Sequence, residues 1–215
     1  MRCLGDFFSS SIGRKISVAA AGLLLCCFLI THLAGNLLLL AGEGTFNHYA
    51  EVLEANPLLP AAEIGLALIF LLHIMVSLKL KYENRRARPV PYVVQKGKGG
   101  RSWGSRAMLV SGLLLLAFLV IHVKTFRFTE HRESLYRHVF DAFQNKVYTL
   151  FYVAAMIGLG LHLSHGFQSA LRTFGVGHSR AMSAIKRTGL ILSAAIAAGF
   201  ALLPLWFGFM AGGAR

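Results

Sequence analysis

The sequence predicts an all-α integral membrane bundle of five transmembrane helices. Composition is the first reason. Of 215 residues, 55% are hydrophobic and only 14% are charged, whereas a soluble domain carries about a quarter charged residues. The second reason is the distribution. The apolar residues gather into five blocks, about Ser17–Ala41, Ala61–Leu80, Ala107–Val123, Val147–Leu171 and Thr188–Met210. A helix needs roughly 20 apolar residues to cross the hydrocarbon core, and each block meets or approaches that length. No alternating pattern of a membrane β-barrel is present. Residues 1–215 read as a single five-span domain.

Charge placement orients the bundle. The net charge is +13, but the cations cluster in alternate loops. Arg14 and Lys15 precede the first block, and Lys79, Lys81, Arg85, Arg86, Arg88, Lys96, Lys98, Arg101 and Arg106 join the second to the third. Arg172, Arg180, Lys186 and Arg187 lie between the fourth and fifth. The loop after the first block carries Glu43, Glu51 and Glu54 and no Lys or Arg. The positive-inside rule puts the N-terminus in the cytoplasm and the C-terminus outside. This topology, with contact to anionic membrane lipid, accounts for the charge without nucleic acid. The expected location is a bacterial inner membrane, crossed several times.

The elements follow in order. The first block is too long for a cleavable signal core and lacks a clear cleavage site after it, so it is expected to stay as a helix. Thr45–Asn56 reads as a short interfacial helix, with Phe46, Tyr49 and Leu53 on one face. Pro57 and Pro60 break it before the second span. Arg88–Gly104, rich in Gly and Pro, reads as an irregular loop. Lys124–Lys146 is expected to be partly helical at the surface. The fourth block holds Gly158, Gly160 and Gly166, which permit close approach of a helix or a flat group. No internal repeat is evident. Cys3, Cys26 and Cys27 form no metal-binding pattern, so no iron–sulfur cluster can be built here.

His32, His73, His122 and His162 each sit in one of the first four apolar blocks. An ionisable side chain inside a membrane is costly and usually functional. Depth sorts them, at about 1.5 Å per helical residue. His32 lies 17 residues after Lys15 and His122 lies 16 after Arg106, both roughly 25 Å from the basic side. His73 precedes Lys79 by six residues and His162 precedes Arg172 by ten, so this pair lies nearer the basic side. Two layers of two imidazoles suit two six-coordinate b-type haems held between facing helices. Zinc would need further ligands that the chain does not supply. His165, one turn after His162, is the alternative in the fourth span. His48, His131, His138 and His178 fall in loops and read as surface residues.

Several motifs give a resemblance. They are Thr31-His32-Leu33-Ala34-Gly35-Asn36, Phe46-Asn47-His48-Tyr49-Ala50, the stretch from Pro57-Leu58-Leu59 to Glu63 ahead of His73, His122 near the end of the third span, and Leu161-His162-Leu163-Ser164-His165-Gly166-Phe167. From about Gly13 onward, the chain resembles the cytochrome b anchor subunit of succinate:quinone oxidoreductases and quinol:fumarate reductases, of the five-helix, two-haem type. The resemblance implies that His73 and His162 bind a proximal haem, and that His32 and His122 bind a distal one. It prefers His162 to His165, because Gly166 matches a glycine four residues after the ligand. It implies a flavoprotein partner with covalent FAD, an iron–sulfur partner, and electron exchange with quinone, usually menaquinone. The dicarboxylate chemistry would lie in a partner subunit, and two such complexes could associate as a dimer.

Quinone chemistry also needs a proton carrier. Glu51, Glu54 and Glu63 are the candidates near the distal layer, although Glu63 also suits a helix N-terminus. Lys15, Ser17, Arg106 and Arg172 are candidate partners for haem propionates; as interfacial anchors they would look the same. Some members of the family carry a glutamate two residues before the fourth-span ligand, where this chain has Gly160, which puts that proton route in doubt. Two competing classes are a cytochrome b anchor of a hydrogenase or formate dehydrogenase, and a transporter or scaffold without cofactor.

Overall fold

The computed structural model describes residues 6, 10–87, 103–129, 134–176 and 179–211, with the backbone alone at 103–106 and 179–181. Side-chain expectations for Arg106, His131 and His178, and those for the loop 88–102, lie outside the described residues. Among those described the secondary structure is helical throughout. Helix α1 spans Ser11–Leu37 and tightens into a 3-10 turn at Leu38–Ala41. Then come α2 (Glu43–Glu54), α3 (Leu59–Arg86), α4 (Trp103–Arg127), α5 (Leu135–Gln144), α6 (Lys146–Thr173) and α7 (Ser179–Leu205), the last followed by a π turn at Trp206–Met210. Five segments are long and apolar enough to cross a membrane: Ser11–Ala41, Leu59–Arg86, Ala107–Arg127, Lys146–Thr173 and Met182–Met210. They are spans one to five below.

Local chemistry fixes the ends. Ser10 caps α1 by accepting from the Gly13 amide at 3.0 Å, which satisfies one of the orphan donors of a first turn. Gly42, at φ +104°, ends that segment in a conformation L side chains rarely adopt. Asn145 caps α6 by accepting from the amides of Val147 and Tyr148. The interfacial helix ends before Pro57, as expected, and Pro60 sits in the first turn of α3, where a missing N–H costs nothing. Pro204 lies inside α7 and removes a ladder donor. The π turn follows directly, and its carbonyls find other donors: Gln144 Nε2 reaches Phe207 O at 2.9 Å, and Lys146 Nζ reaches Gly208 O.

Span four is the hub. It packs on spans one, three and five, and span one packs on span two. Buried Ala155, Met156, Leu159 and Leu163 of span four meet Cys26 and Ile196 in one core cluster. Leu39, Phe46, Val139, Phe143, Tyr152, Leu203 and Phe207 form a second cluster, where α2 and α5 cap one end of the bundle. Span two contributes no buried residue, and it has no substantial packed face with span three. The interfacial helix is present, but its inner face is Phe46 and Ala50, while Leu53 is 41% exposed. His48 and His138 are not loop residues: His48 lies exposed in α2, and His138 lies in α5 with its Nε2 2.9 Å from Thr125 O.

Candidate functional site

Two motifs quoted from the sequence meet at the α2 end of the bundle. Gly35 is buried, and the Tyr49 hydroxyl packs too close to it to leave room for a Cβ. Asn47 ties α2 to α5, donating to Ser134 Oγ at 2.8 Å and accepting from the Tyr136 amide at 3.1 Å. We call the layer of histidines nearest this end the far layer, and the other, toward Arg14 and Glu83, the near layer.

In the far layer His32 and His122 face each other edge to face, with ring centroids 5.9 Å apart and planes at 85°. Each ring stacks on a phenylalanine one turn earlier, Phe28 at 5.1 Å and Phe118 at 5.4 Å. Residues four apart share a helix face, so each span carries its own buttress. The Nδ1 of His122 is 3.2 Å from Tyr152 Oη, which is 2.7 Å from Tyr148 Oη. Asn36 Nδ2 lies 3.4 Å from both ring nitrogens of His32 and donates to the His32 carbonyl at 2.8 Å. It holds the backbone more than the ring.

In the near layer His73 and His162 are 6.3 Å apart with planes at 67°. It is His162, and not His165, that faces His73. Each ring presents its Cε1 and Nδ1 edge to a glycine of a neighbouring span. A Cβ at Gly22 would stand 3.4 Å from His73 Cε1, and one at Gly112 would stand 3.5 Å from His162 Cε1. Ser111 Oγ is 3.3 Å from His162 Nδ1. The Nδ1 of His73 is buried with no partner at hydrogen-bonding geometry, although the Val18 backbone is close by.

These contacts reveal an internal repeat where none was expected from the sequence. Gly22, Phe28 and His32 recur ninety positions later as Gly112, Phe118 and His122. His73 recurs eighty-nine positions later as His162. Spans one and two thus form one half, and spans three and four a second half with the same internal contacts. Leu23, Leu24, Leu25 and Leu29 recur as well, as Leu113, Leu114, Leu115 and Leu119, whereas across spans two and four only Leu72 and His73 recur, as Leu161 and His162. In both halves the glycine and the far-layer histidine are ten residues apart, which separates the layers by about 15 Å along the helix.

The geometry suits a metal that brings most of its own coordination. A metal–imidazole bond is about 2 Å, and half a ring adds about 1 Å, so two axial imidazoles place their centroids about 6 Å apart. Both pairs match that separation. Among the described residues no three His, Cys, Asp or Glu side chains converge as they would on a bare ion. Two facing histidines would hold a haem, whose macrocycle supplies the rest of the iron's ligands.

The remaining candidates are dispersed. Glu63 is held by Arg127 through contacts of 2.7 and 3.1 Å, which join the far ends of spans two and three. The charge of Glu54 also acts on Arg127. Glu51 is exposed on α2. At the near end Lys15 is exposed, Ser17 Oγ donates to Gly13 O at 2.9 Å, and Arg172 Nε contacts Met182 Sδ at 3.4 Å. None of these three is hydrogen-bonded to a histidine of the near pair. A Cβ at Gly160 would lie 3.1 Å from Ala197 Cβ, so that position faces span five and not the histidines. At the α2 end the Ser134 hydroxyl, followed by Arg137 at 3.0 Å, holds the Glu43 carboxyl below its ordinary range.

A family model described as the succinate dehydrogenase/fumarate reductase transmembrane subunit matches residues 84–207. That is more than half of the chain. This protein belongs to that family. No curated protein and no solved structure matches it. The matched part of this transmembrane subunit holds His122 and His162, one histidine from each layer. Their partners His32 and His73 lie outside the match and are identified by facing them. Sequence reasoning passed over Ser111, Tyr148, Tyr152, Gly22 and Gly112 in this subunit. The available signal was a polar residue inside an apolar block for Ser111, and the four-residue spacing of the tyrosines.

Proposed function

We propose that this membrane subunit is a dihaem cytochrome b that carries electrons between an iron–sulfur subunit and membrane quinone. His73 and His162 hold the near haem, and His32 and His122 hold the far haem. When bound, each haem supplies a one-electron iron couple. The observation that carries this reading is that both histidine pairs face each other with ring centroids 5.9 and 6.3 Å apart, a separation at which two imidazoles could share one iron.

The basic near side is cytoplasmic, by the positive-inside rule, and receives the iron–sulfur subunit and the flavoprotein with its FAD. The N-terminus is then cytoplasmic and the C-terminus external, in a bacterial inner membrane. Lys15, Ser17, Arg106 and Arg172 are at the right end to meet the near haem's propionates. Menaquinone is the electron partner at the far side. Of the three acids there, Glu63 is favoured over Glu51 and Glu54. It lies ten residues before His73, as Tyr152 lies ten before His162, so it stands at the depth of the far pair. Arg127 keeps its carboxylate oriented beside that layer, and Glu54 adds charge to the same cluster.

A pyridine haemochrome assay on the purified complex tests the reading. About two b haems per chain are expected. A content near zero in a complex that retains its flavoprotein would end it.

A further inference from the structure

An imidazole offers Nε2 to a metal only when its proton sits on Nδ1, and the partner of Nδ1 decides which tautomer is held. In this chain one histidine of each layer has a hydroxyl at Nδ1. For His162 it is Ser111, which is 4% exposed. A serine has one hydroxyl proton. Ser111 directs it to the Ala107 carbonyl at 2.8 Å, so toward His162 Nδ1 at 3.3 Å it is an acceptor. His162 then carries its proton on Nδ1 and keeps the Nε2 lone pair.

For His122 the hydroxyl is Tyr152, which is 5% exposed. Of its two contacts, the one to Tyr148 is shorter, 2.7 Å against 3.2 Å. A Tyr152 proton given to Tyr148 leaves the phenol oxygen to accept from His122 Nδ1. The reverse direction would put the His122 proton on Nε2 and block ligation. Donating onward also makes Tyr152 the better acceptor, because hydrogen bonds in a chain polarise one another.

The first half of the repeat lacks both devices. Ala21 stands ninety positions before Ser111, and Glu63, engaged by Arg127, stands eighty-nine before Tyr152. His73 Nδ1 is buried with no hydroxyl beside it, and the polar group near that ring is the Val18 backbone. We propose that Ser111 and Tyr152 are positioning residues, one per layer, that fix His162 and His122 as Nδ1–H tautomers, with Tyr148 strengthening Tyr152. This rests on the ligand assignment above.

A hydrogen bond at the outer nitrogen makes a ligating imidazole more basic, which favours the oxidised metal. Potentiometric titration of both haems in the purified complex, with haem content measured alongside, is the test. Tyr152→Phe should raise the midpoint potential of the far haem and leave the near one unchanged. Ser111→Ala should do the converse. Tyr148→Phe should raise the far potential by less than Tyr152→Phe, and it decides the matter if Tyr152→Phe fails to assemble. Two bound haems with unmoved potentials, a fall, or a shift in the opposite layer would overturn the proposal. A wild-type complex without haem would instead remove the ligand assignment itself.

Discussion

Arg127 grips Glu63 through two hydrogen bonds, of 2.7 and 3.1 Å, and so joins two spans that otherwise barely touch. Both side chains are more than a third exposed, so the pair contributes at most about 1 kcal/mol to stability. Glu63→Gln should depress quinone-linked turnover while leaving both haem spectra and dye-linked activity at the flavin intact. Arg127→Gln should shift thermal stability little. Full quinone activity in Glu63→Gln, with loss in Glu51→Gln or Glu54→Gln, would move the proton role to α2.

The two layers should be separable by mutation. His73→Ala and His162→Ala should each remove the same spectral component, and His32→Ala and His122→Ala the other. His165→Ala should leave both. A component lost in His165→Ala and kept in His162→Ala would contradict the observed pairing.

The glycine contacts make a sharper demand. Gly22 and Gly112 lie in the spans that carry the far-layer histidines, yet they touch near-layer rings. An alanine meets those rings at ordinary contact distance and should be tolerated. Gly22→Leu or Gly112→Leu should displace His73 or His162 and remove the near haem while sparing the far one. Overpacking of this kind costs about 1–3 kcal/mol. Loss of the far component instead, in visible difference spectra, would refute the layer geometry.

Glu43 gives a pH dependence with a definite sign. Its native pKa is depressed, first by the Ser134 hydrogen bond and then by Arg137. Such a group stabilises fully above its unfolded pKa and loses that contribution as pH falls through the native value. The α2–α5 link should therefore be complete at neutral pH and weaken on acidification below the ordinary value of 4.5. Glu43→Gln should flatten the acid limb of thermal stability against pH; an unchanged limb would show that other carboxylates set it.

Membrane orientation can be read directly. A reporter fused after Arg215 should appear on the external side, and one in the loop between Lys79 and Arg106 in the cytoplasm. The reverse result would contradict the charge argument.

The five spans were legible because crossing a bilayer demands length and apolarity, which composition records directly. The two histidine layers were legible because helical rise converts distance along the chain into depth. Depth says nothing about azimuth, so it could not identify the hydroxyls beside His162 and His122 or the glycines behind the near pair. Ser111 lies fifty-one positions from His162 and reads locally as a small residue in a span. Glu63 read as a proton carrier or a helix N-terminal carboxylate because Arg127, sixty-four positions away, gives no local sign of pairing. The repeat escaped notice because the leucines shared by residues 22–32 and 112–122 look like the common filling of any span, and the second and fourth spans share only a Leu-His pair.

That repeat makes each proposed haem a cross-link. His32 and His73 belong to one hairpin, and His122 and His162 to the other. Neither hairpin can complete either iron alone. A ligand bound only by the assembled form stabilises that form by mass action, so cofactor supply would govern how much correctly joined subunit a cell holds. Without haem the two hairpins would be held together by side-chain packing alone, chiefly between spans one and four.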